Sequence, residues 1–395
     1  MNGVKFLFNE FKKEKELIGN SLLMFIANGV PAIIIFLVNL TLARIFSPES
    51  FGNFRTVIYL VSFFSALIDF GAGVTLTKYI AQFKVKDKEK IGYMTRWFLK
   101  LRLISYSILF LLLFILIKPI AIHFLHDESL SYLVIFGFSL IIANFFGILP
   151  SMVMGHENFK LYLTIRLIGS FGSMILGMGL GYFFGVPYAI LGFAISNLLG
   201  NLICLRFLFK EQTFKKMDGI FDIKKIFFKF SLPMYVFSLP NSLGNAIVPI
   251  LSIFFSMEMI GQYSFSFLFY VAGLVIPGTL SSVLLPTISR LNVQKNNKRI
   301  KETLLKVFLV YTIIVIGGIS GTLLLGETII SIIAPQYLPG LLFFKVLVSL
   351  GLLVGYLVIY QSYLTAKEKV KQVALMVVIQ NLLLFIISFI LLKSV

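Results

Sequence analysis

A single acidic residue, Asp69, stands in the middle of a long apolar stretch, preceded by Arg55, Tyr59 and Ser62. The spacings of 4, 3 and 7 residues place all four on one helical face. A carboxylate in such surroundings is costly unless paired or hydrated, which makes Asp69 a candidate for coupling to a proton or sodium ion. Arg55 is not its partner along the helix, because 14 residues of helix span about 21 Å. A guanidinium there suits a phosphate or pyrophosphate group, which it can grip in a bidentate manner. The other use of such a face is hydrogen bonding between helices.

A second polar face lies further along. Ser231, Tyr235, Ser238, Ser242, Asn245 and Ser252 follow one another at 4, 3, 4, 3 and 7 residues, on a stretch interrupted by Pro233, Pro240 and Pro249. Near the start of the chain, Ser21, Asn28 and Asn39 share a face with Pro31 between them. Faces of this kind turn toward other helices or a water-filled cavity rather than toward lipid. Four further cations sit near the ends of apolar stretches: Arg44 at one end, and Lys78, Arg102 and Arg166 toward the other. Each could reach the interface by extending its side chain or line a cationic cavity for a phosphorylated head group. Lys345 sits about one turn inside its own stretch.

Other chemistry is weakly represented. His123, His126, Asp127 and Glu128 have metal-like spacing, but no second cluster accompanies them and no metal site is expected. The chain has no phosphate-binding glycine loop, no nucleophile elbow and one cysteine, Cys204, in an apolar run where it serves packing. No cofactor, no catalytic residues and no coupling to ATP hydrolysis are expected.

The elements that carry these residues follow from composition. Of 395 residues, 58% are hydrophobic and 13% charged, where a soluble domain carries roughly 25% charged. Apolar runs of 20 or more residues recur, each long enough to cross about 30 Å of hydrocarbon as a helix. Eleven are expected, at about 20–46, 52–80, 98–119, 130–154, 160–183, 187–209, 231–255, 261–289, 304–327, 341–365 and 372–393. The net charge of +18 would suggest nucleic acid in a soluble protein. Here 25 Lys and Arg fall in one alternating set of loops, and one, Lys118, in the other. That asymmetry is the positive-inside pattern, so no nucleic-acid partner is expected and the N-terminus is expected to be cytoplasmic. The first 18 residues are charged, and no cleaved signal peptide is expected.

The chain also repeats itself. SPESFGNF (47–54) matches SMEMIGQY (256–263) as Ser-x-Glu-x-apolar-Gly-amide-aromatic, at an offset of 209 that also aligns Pro31 with Pro240. GHENF (155–159) matches AKEKV (366–370) at an offset of 211. The matched runs enter the membrane from the same side, so the repeat is parallel, a known transporter construction with the substrate path between the repeats. The expectation is an all-α integral membrane protein of six plus five helices: a lobe at 1–209, a basic amphipathic linker at 210–230 and a lobe at 231–395. A twelfth helix would begin near position 396.

At these landmarks the sequence resembles the polysaccharide (O-antigen type) flippases of the multidrug/oligosaccharidyl-lipid/polysaccharide exporter superfamily. The matching stretches are LARIFSPESFGNF (42–54), LIDFGAGVTLTKYIAQ (67–82), GHENFKLY (155–162), FSLPMYVFSLP (230–240), GQYSFSF (261–267), LLPTISRL (284–291) and LTAKEKVKQ (364–372). The resemblance implies two lobes around a central cavity lined by the first, second, seventh and eighth helices, working by alternating access. Candidate lining residues are then Asn28, Asn39, Tyr59, Ser62, Tyr235, Ser238, Ser242, Asn245 and, in the eighth helix, Tyr270. It further implies a substrate carried on polyprenyl pyrophosphate, its head group met by Arg44, Arg55, Lys78 and Arg166, with Asp69 for coupling. Membrane lipids and polysaccharide assembly enzymes would be partners. A cation-coupled small-molecule exporter and a membrane-embedded polysaccharide polymerase are the alternatives. The short loops, without catalytic acids or arginines, count against the polymerase.

Overall fold

A computed structural model of the chain describes residues 2–215 and 222–394. The described residues contain helices and turns and no strand. The first crossing is the C-terminal part of α1 (Asn2–Ile45). The second is α2 (Pro48–Leu67) with α3 (Ala72–Lys86), and the third is α4 (Glu89–Ile115), followed by the short α5 (Ile117–Phe124). The fourth joins α6 (Ser131–Phe146) and α7 (Leu149–Gly155). The fifth joins α8 (Phe159–Gly172) and α9 (Met178–Phe184) through a π turn. The sixth is α10 (Val186–Leu202) with α11 (Leu205–Lys210). The seventh runs through α12 (Ile223–Ile226), α13 (Leu232–Leu243) and α14 (Ile247–Ser252). The eighth is α15 (Met257–Gly273) with α16 (Val275–Val293). The last three are α17 (Asn297–Ile333), α18 (Leu341–Ala366) and α19 (Val370–Lys393). Ten of these crossings are straight enough to be counted singly, and α2 with α3 supplies an eleventh as one span bent by 52°.

The bend corrects the expectation of a continuous second helix at 52–80. Phe70 and Gly71 have φ of 51° and 69°, in the left-handed region, and stop α2 before α3 begins. The carbonyl groups freed at the break find partners. Ser231 Oγ donates to Phe70 O at 2.8 Å, and the Tyr235 hydroxyl donates to Leu67 O. Thr75 Oγ1 lies 2.8 Å from Gly71 O and 2.9 Å from Ser231 Oγ. A broken helix is tolerated at membrane depth when neighbouring side chains satisfy its backbone in this way.

The internal repeat has a physical meaning. Ser47 caps α2 by accepting from Ser50 N–H at 3.2 Å, and Ser256 caps α15 by accepting from Met259 N–H at 3.4 Å. Glu49 and Glu258 lie in the first turns, where a negative charge favours the helix dipole. The aromatic ends of the two motifs, Phe54 and Tyr263, are fully buried. The second pair of landmarks repeats a turn. Glu157 and Glu368 have φ of 61° and 59°, and the next residue bonds back five places in each case: Asn158 N–H to Val153 O at 3.2 Å, and Lys369 N–H to Leu364 O at 3.0 Å. Both are helix ends of the Schellman kind. Pro31 and Pro240 both lie inside helices and are buried.

On the side with few basic loops, α2 and α15 cross closely. A Cβ on Gly52 would collide with Met257 O, and one on Gly261 with Pro48 O. Gln336 Nε2 donates to Ala43 O and Arg44 O at 3.0 Å, and the Phe51 and Tyr337 rings meet at 6.1 Å. On the basic side, contact between the halves runs through the start of the seventh crossing, where Phe227 packs on Trp97 at 5.3 Å and Phe230 on Tyr79 at 5.4 Å. Part of the expected linker, 216–221, lies outside the described residues, as do the side chains of the first 18 residues and of Ser21.

Candidate functional site

A cavity of about 320 Å³ lies between α2, α4 and the α6–α7 break on one side and α13 on the other. From α2 and its break come Ser62, Ser65, Ala66 and Asp69; from α4 come Arg102 and Tyr106. Asn144 and Gly147 line it from the α6–α7 junction, and Tyr235, Ser238 and Ser242 from α13. The two polar faces read from the sequence therefore meet here at Ser62, Asp69, Tyr235, Ser238 and Ser242.

Asp69 is paired. Arg102 Nη1 lies 2.6 Å from its Oδ1. Arg102 also donates from Nε to Phe145 O at 2.8 Å, and from Nη2 to Asn144 O at 2.6 Å and to the Tyr106 hydroxyl at 2.9 Å. The last carbonyls of α6 carry the negative end of that helix, so a guanidinium there is held by charge and by geometry. Arg102 does not extend toward the membrane surface: its side chain is 6% exposed, whereas that of Asp69 is 39% exposed. The pair thus has a fixed cation and an anion open to the cavity. At the 209-residue offset of the repeat, Asp69 and Arg102 correspond to Gly278 and Tyr311, so the second half has no such pair.

Arg55 belongs to a separate cluster near the α2–α15 crossing. Its Nη1 donates to Asn39 Oδ1 at 2.8 Å and its Nη2 to the Tyr59 hydroxyl, and the guanidinium lies 4.5 Å from the Tyr59 ring centre. Asn39 in turn donates to Ile35 O at 2.7 Å, and Tyr59 meets Phe267 edge-on at 6.2 Å. Arg55 is buried, its Nε has no partner, and no carboxylate pairs with it among the described residues. The remaining residues do not join either group. Arg44, Arg166 and Asn28 are exposed, Asn28 donating only to Met24 O at 2.9 Å. Lys78 lies over the Phe230 ring at 3.7 Å. Asn245 is half-buried, and Tyr270 is buried with its ring stacked on Phe267 at 5.2 Å.

Arg102 was visible in the sequence as an end-proximal cation, but not as the partner of Asp69, which is 33 residues away on another helix. Among the described residues no three His, Cys, Asp or Glu side chains gather as a metal site. His123 bonds Pro119 O at 2.9 Å, and Asp127 accepts from Ser129 N–H at 2.8 Å. Cys204 is buried, its thiol directed at Asn201 O at 2.7 Å.

The eleven crossings, the parallel repeat and the polar cavity define a multi-pass membrane protein with the architecture of a transporter. Solved structures bear this out at the level of fold. The chain is similar to the inward-facing conformation of a multidrug resistance MATE family transporter of the MOP superfamily, at a TM-score of 0.68 and 15% identity over 93% of this chain and 94% of that one. It is similar to the MATE multidrug transporter DinF-BH, solved as a complex, at 0.63 and 16% over 96% and 95%. It is also similar to a MOP superfamily transporter from Pyrococcus furiosus, whose binding pocket is described as reversed in polarity, at 0.51 and 14% over 95% and 94%. No curated protein sequence matches the chain. Residues 41–339 match the model of the family described as polysaccharide biosynthesis protein, and the chain belongs to that family.

Proposed function

We propose that this protein carries a lipid-linked oligosaccharide, borne on polyprenyl pyrophosphate, from the cytoplasmic to the outer leaflet of the cell membrane by alternating access. The basic loops then face the cytoplasm, as the positive-inside pattern requires. The observation that carries this reading is the cavity pair: a buried, immobilised Arg102 facing a half-exposed Asp69 between the two halves of the chain. Membership of a polysaccharide biosynthesis family favours a sugar-bearing cargo.

The chemistry is an exchange. A phosphate oxygen approaching Arg102 competes with Asp69 for Nη1, a charge-assisted bond that either anion can accept. Arg102 keeps its place throughout, since Asn144 O, Phe145 O and Tyr106 hold its other donors. Once displaced, Asp69 is left without its cation and gains a reason to bind a proton or sodium ion. Cargo and coupling ion would thus be linked through one side chain. Tyr235, Ser238 and Ser242 offer hydroxyls to a sugar on the opposite wall. Arg55 would join when α2 and α15 part, because it is buried and bonded to Asn39 and Tyr59 in the present conformation. Arg44, Lys78 and Arg166 serve as attracting charges at the two ends.

The test is translocation of a fluorescent polyprenyl-pyrophosphoryl oligosaccharide in proteoliposomes, comparing the native chain with Arg102→Gln. Loss of most of the rate is expected. Full rate, together with strong efflux of an organic cation, would favour the small-molecule exporter, for which the half-exposed Asp69 carboxylate is the supporting observation.

A further inference from the structure

On the basic side, away from the central cavity, α17 and α18 enclose a groove of about 440 Å³. Its walls carry Leu304 and Phe308 from α17, and Tyr360 and Tyr363 from α18. Lys301 and Lys367 stand at its end. Neither lysine is in an ion pair among the described residues, and Lys367 lies over the Tyr363 ring at 4.9 Å. The nearby acids, Glu302 and Glu368, are exposed and do not line the groove.

The arrangement is amphiphilic along the membrane normal. Lys301 is in the second turn of α17 and Lys367 just follows α18, so both sit at the basic-side ends of these membrane-spanning helices. Phe308 is seven residues deeper than Lys301, and Tyr360 seven deeper than Lys367, about 10 Å in each case at the rise of an α-helix. Two cations without counter-ions above an aromatic and aliphatic wall match a phosphate head group above an acyl chain. A free phosphate would have no use for the wall, and an uncharged lipid none for the lysines. We propose that this groove binds one anionic phospholipid of the surrounding bilayer. Its phosphate sits between Lys301 and Lys367, and the upper part of one acyl chain lies against Leu304, Phe308 and Tyr360.

The experiment is a lipid titration of the full-length protein in detergent, read by native mass spectrometry. Phosphatidylglycerol and phosphatidylcholine of identical acyl chains are compared. The native chain should retain one phosphatidylglycerol in preference to phosphatidylcholine by on the order of tenfold, the scale expected for two interfacial lysines. Lys301→Gln with Lys367→Gln should abolish the preference, and Lys301→Arg with Lys367→Arg should keep it. Each single Gln variant should show an intermediate preference, which preserves the test if the double variant does not fold. Excess inorganic phosphate should fail to compete. Undiminished preference in the Gln variants, or equal displacement by inorganic phosphate, would overturn the proposal.

Discussion

Gly52 and Gly261 hold equivalent places in the two halves of the chain, 209 residues apart, and each lies against the backbone of the other's helix. Gly52 faces Met257 O and Gly261 faces Pro48 O, so the repeat closes on itself about a pseudo-twofold axis on the side with few basic loops. A methyl group at either position meets a carbonyl oxygen, which cannot rotate away as a side chain could.

Gly52→Ala and Gly261→Ala should therefore each lower the thermal unfolding midpoint in detergent, by the equivalent of about 1–3 kcal/mol, the range for overpacking. Gly29→Ala is the control: nothing stands within 4 Å of a Cβ there, and alanine in an open helical position is neutral or mildly favourable. Equal midpoints for Gly52→Ala and Gly29→Ala would contradict the close crossing.

Arg102 and Asp69 should respond unequally to removal. Arg102→Gln leaves the carbonyls of Asn144 and Phe145 without their buried donor, and should cost about 3 kcal/mol. Asp69→Asn should cost roughly 1 kcal/mol or less, because Asp69 is half-exposed and Arg102 keeps its three other acceptors. Denaturation of the two variants in matched detergent measures the difference. A larger loss for Asp69→Asn would show that the guanidinium is not the fixed member of the pair.

The break in the second crossing depends on Ser231. Its hydroxyl serves Phe70 O, and its removal leaves that carbonyl without its side-chain donor. Ser231→Ala should destabilise the protein by about 1–2 kcal/mol, and protease cleavage near residues 68–71 should become faster. Ser282→Ala, at an exposed hydroxyl that donates within its own helix, should do neither.

Acid should loosen the basic side. Burial holds the His156 imidazole below its usual range; Glu211, 4.0 Å away, opposes this, and Lys84 and Lys88 add to it. Its Nε2 bonds Thr213 Oγ1 at 2.8 Å, tying the α7–α8 turn to the segment after α11. A base with a depressed folded-state pKa is stabilising above the unfolded value of 6.5. That stability is lost as pH falls from there toward the folded value. Between about pH 7.5 and about pH 5.5 the unfolding midpoint should fall in the native chain and fall less in His156→Gln. Parallel profiles would remove His156 from the account.

Several features were legible in the sequence because they repeat or have a period. Eleven apolar runs, the polar faces of the second and seventh crossings, and the paired landmarks all depend on local spacing. The Ser-x-Glu-x-apolar-Gly motif could be found twice, yet its meaning needed the structure, since a close crossing involves the backbone of a distant helix. The break at Phe70 and Gly71 was hidden because apolar periodicity continues through it, and only the left-handed backbone stops the helix. The Asp69–Arg102 pair was illegible for a related reason. The face that carries Asp69 shows where its side chain points, but not which helix supplies the cation. Arg102 lies near the start of the apolar stretch expected at 98–119, the commonest place for a cation that reaches the interface, whereas α4 begins earlier, at Glu89, and holds it mid-helix.

Translocation at varied pH tests the central claim most directly, using a fluorescent polyprenyl-pyrophosphoryl oligosaccharide in proteoliposomes with and without an imposed proton or sodium gradient. If cargo and Asp69 compete for Arg102, Arg102→Gln should lose most of the rate, on the order of tenfold or more for one lost charge-assisted contact. Asp69→Asn should still bind the cargo but no longer respond to either gradient. Full, gradient-dependent translocation by Asp69→Asn and Arg102→Gln alike would contradict the account.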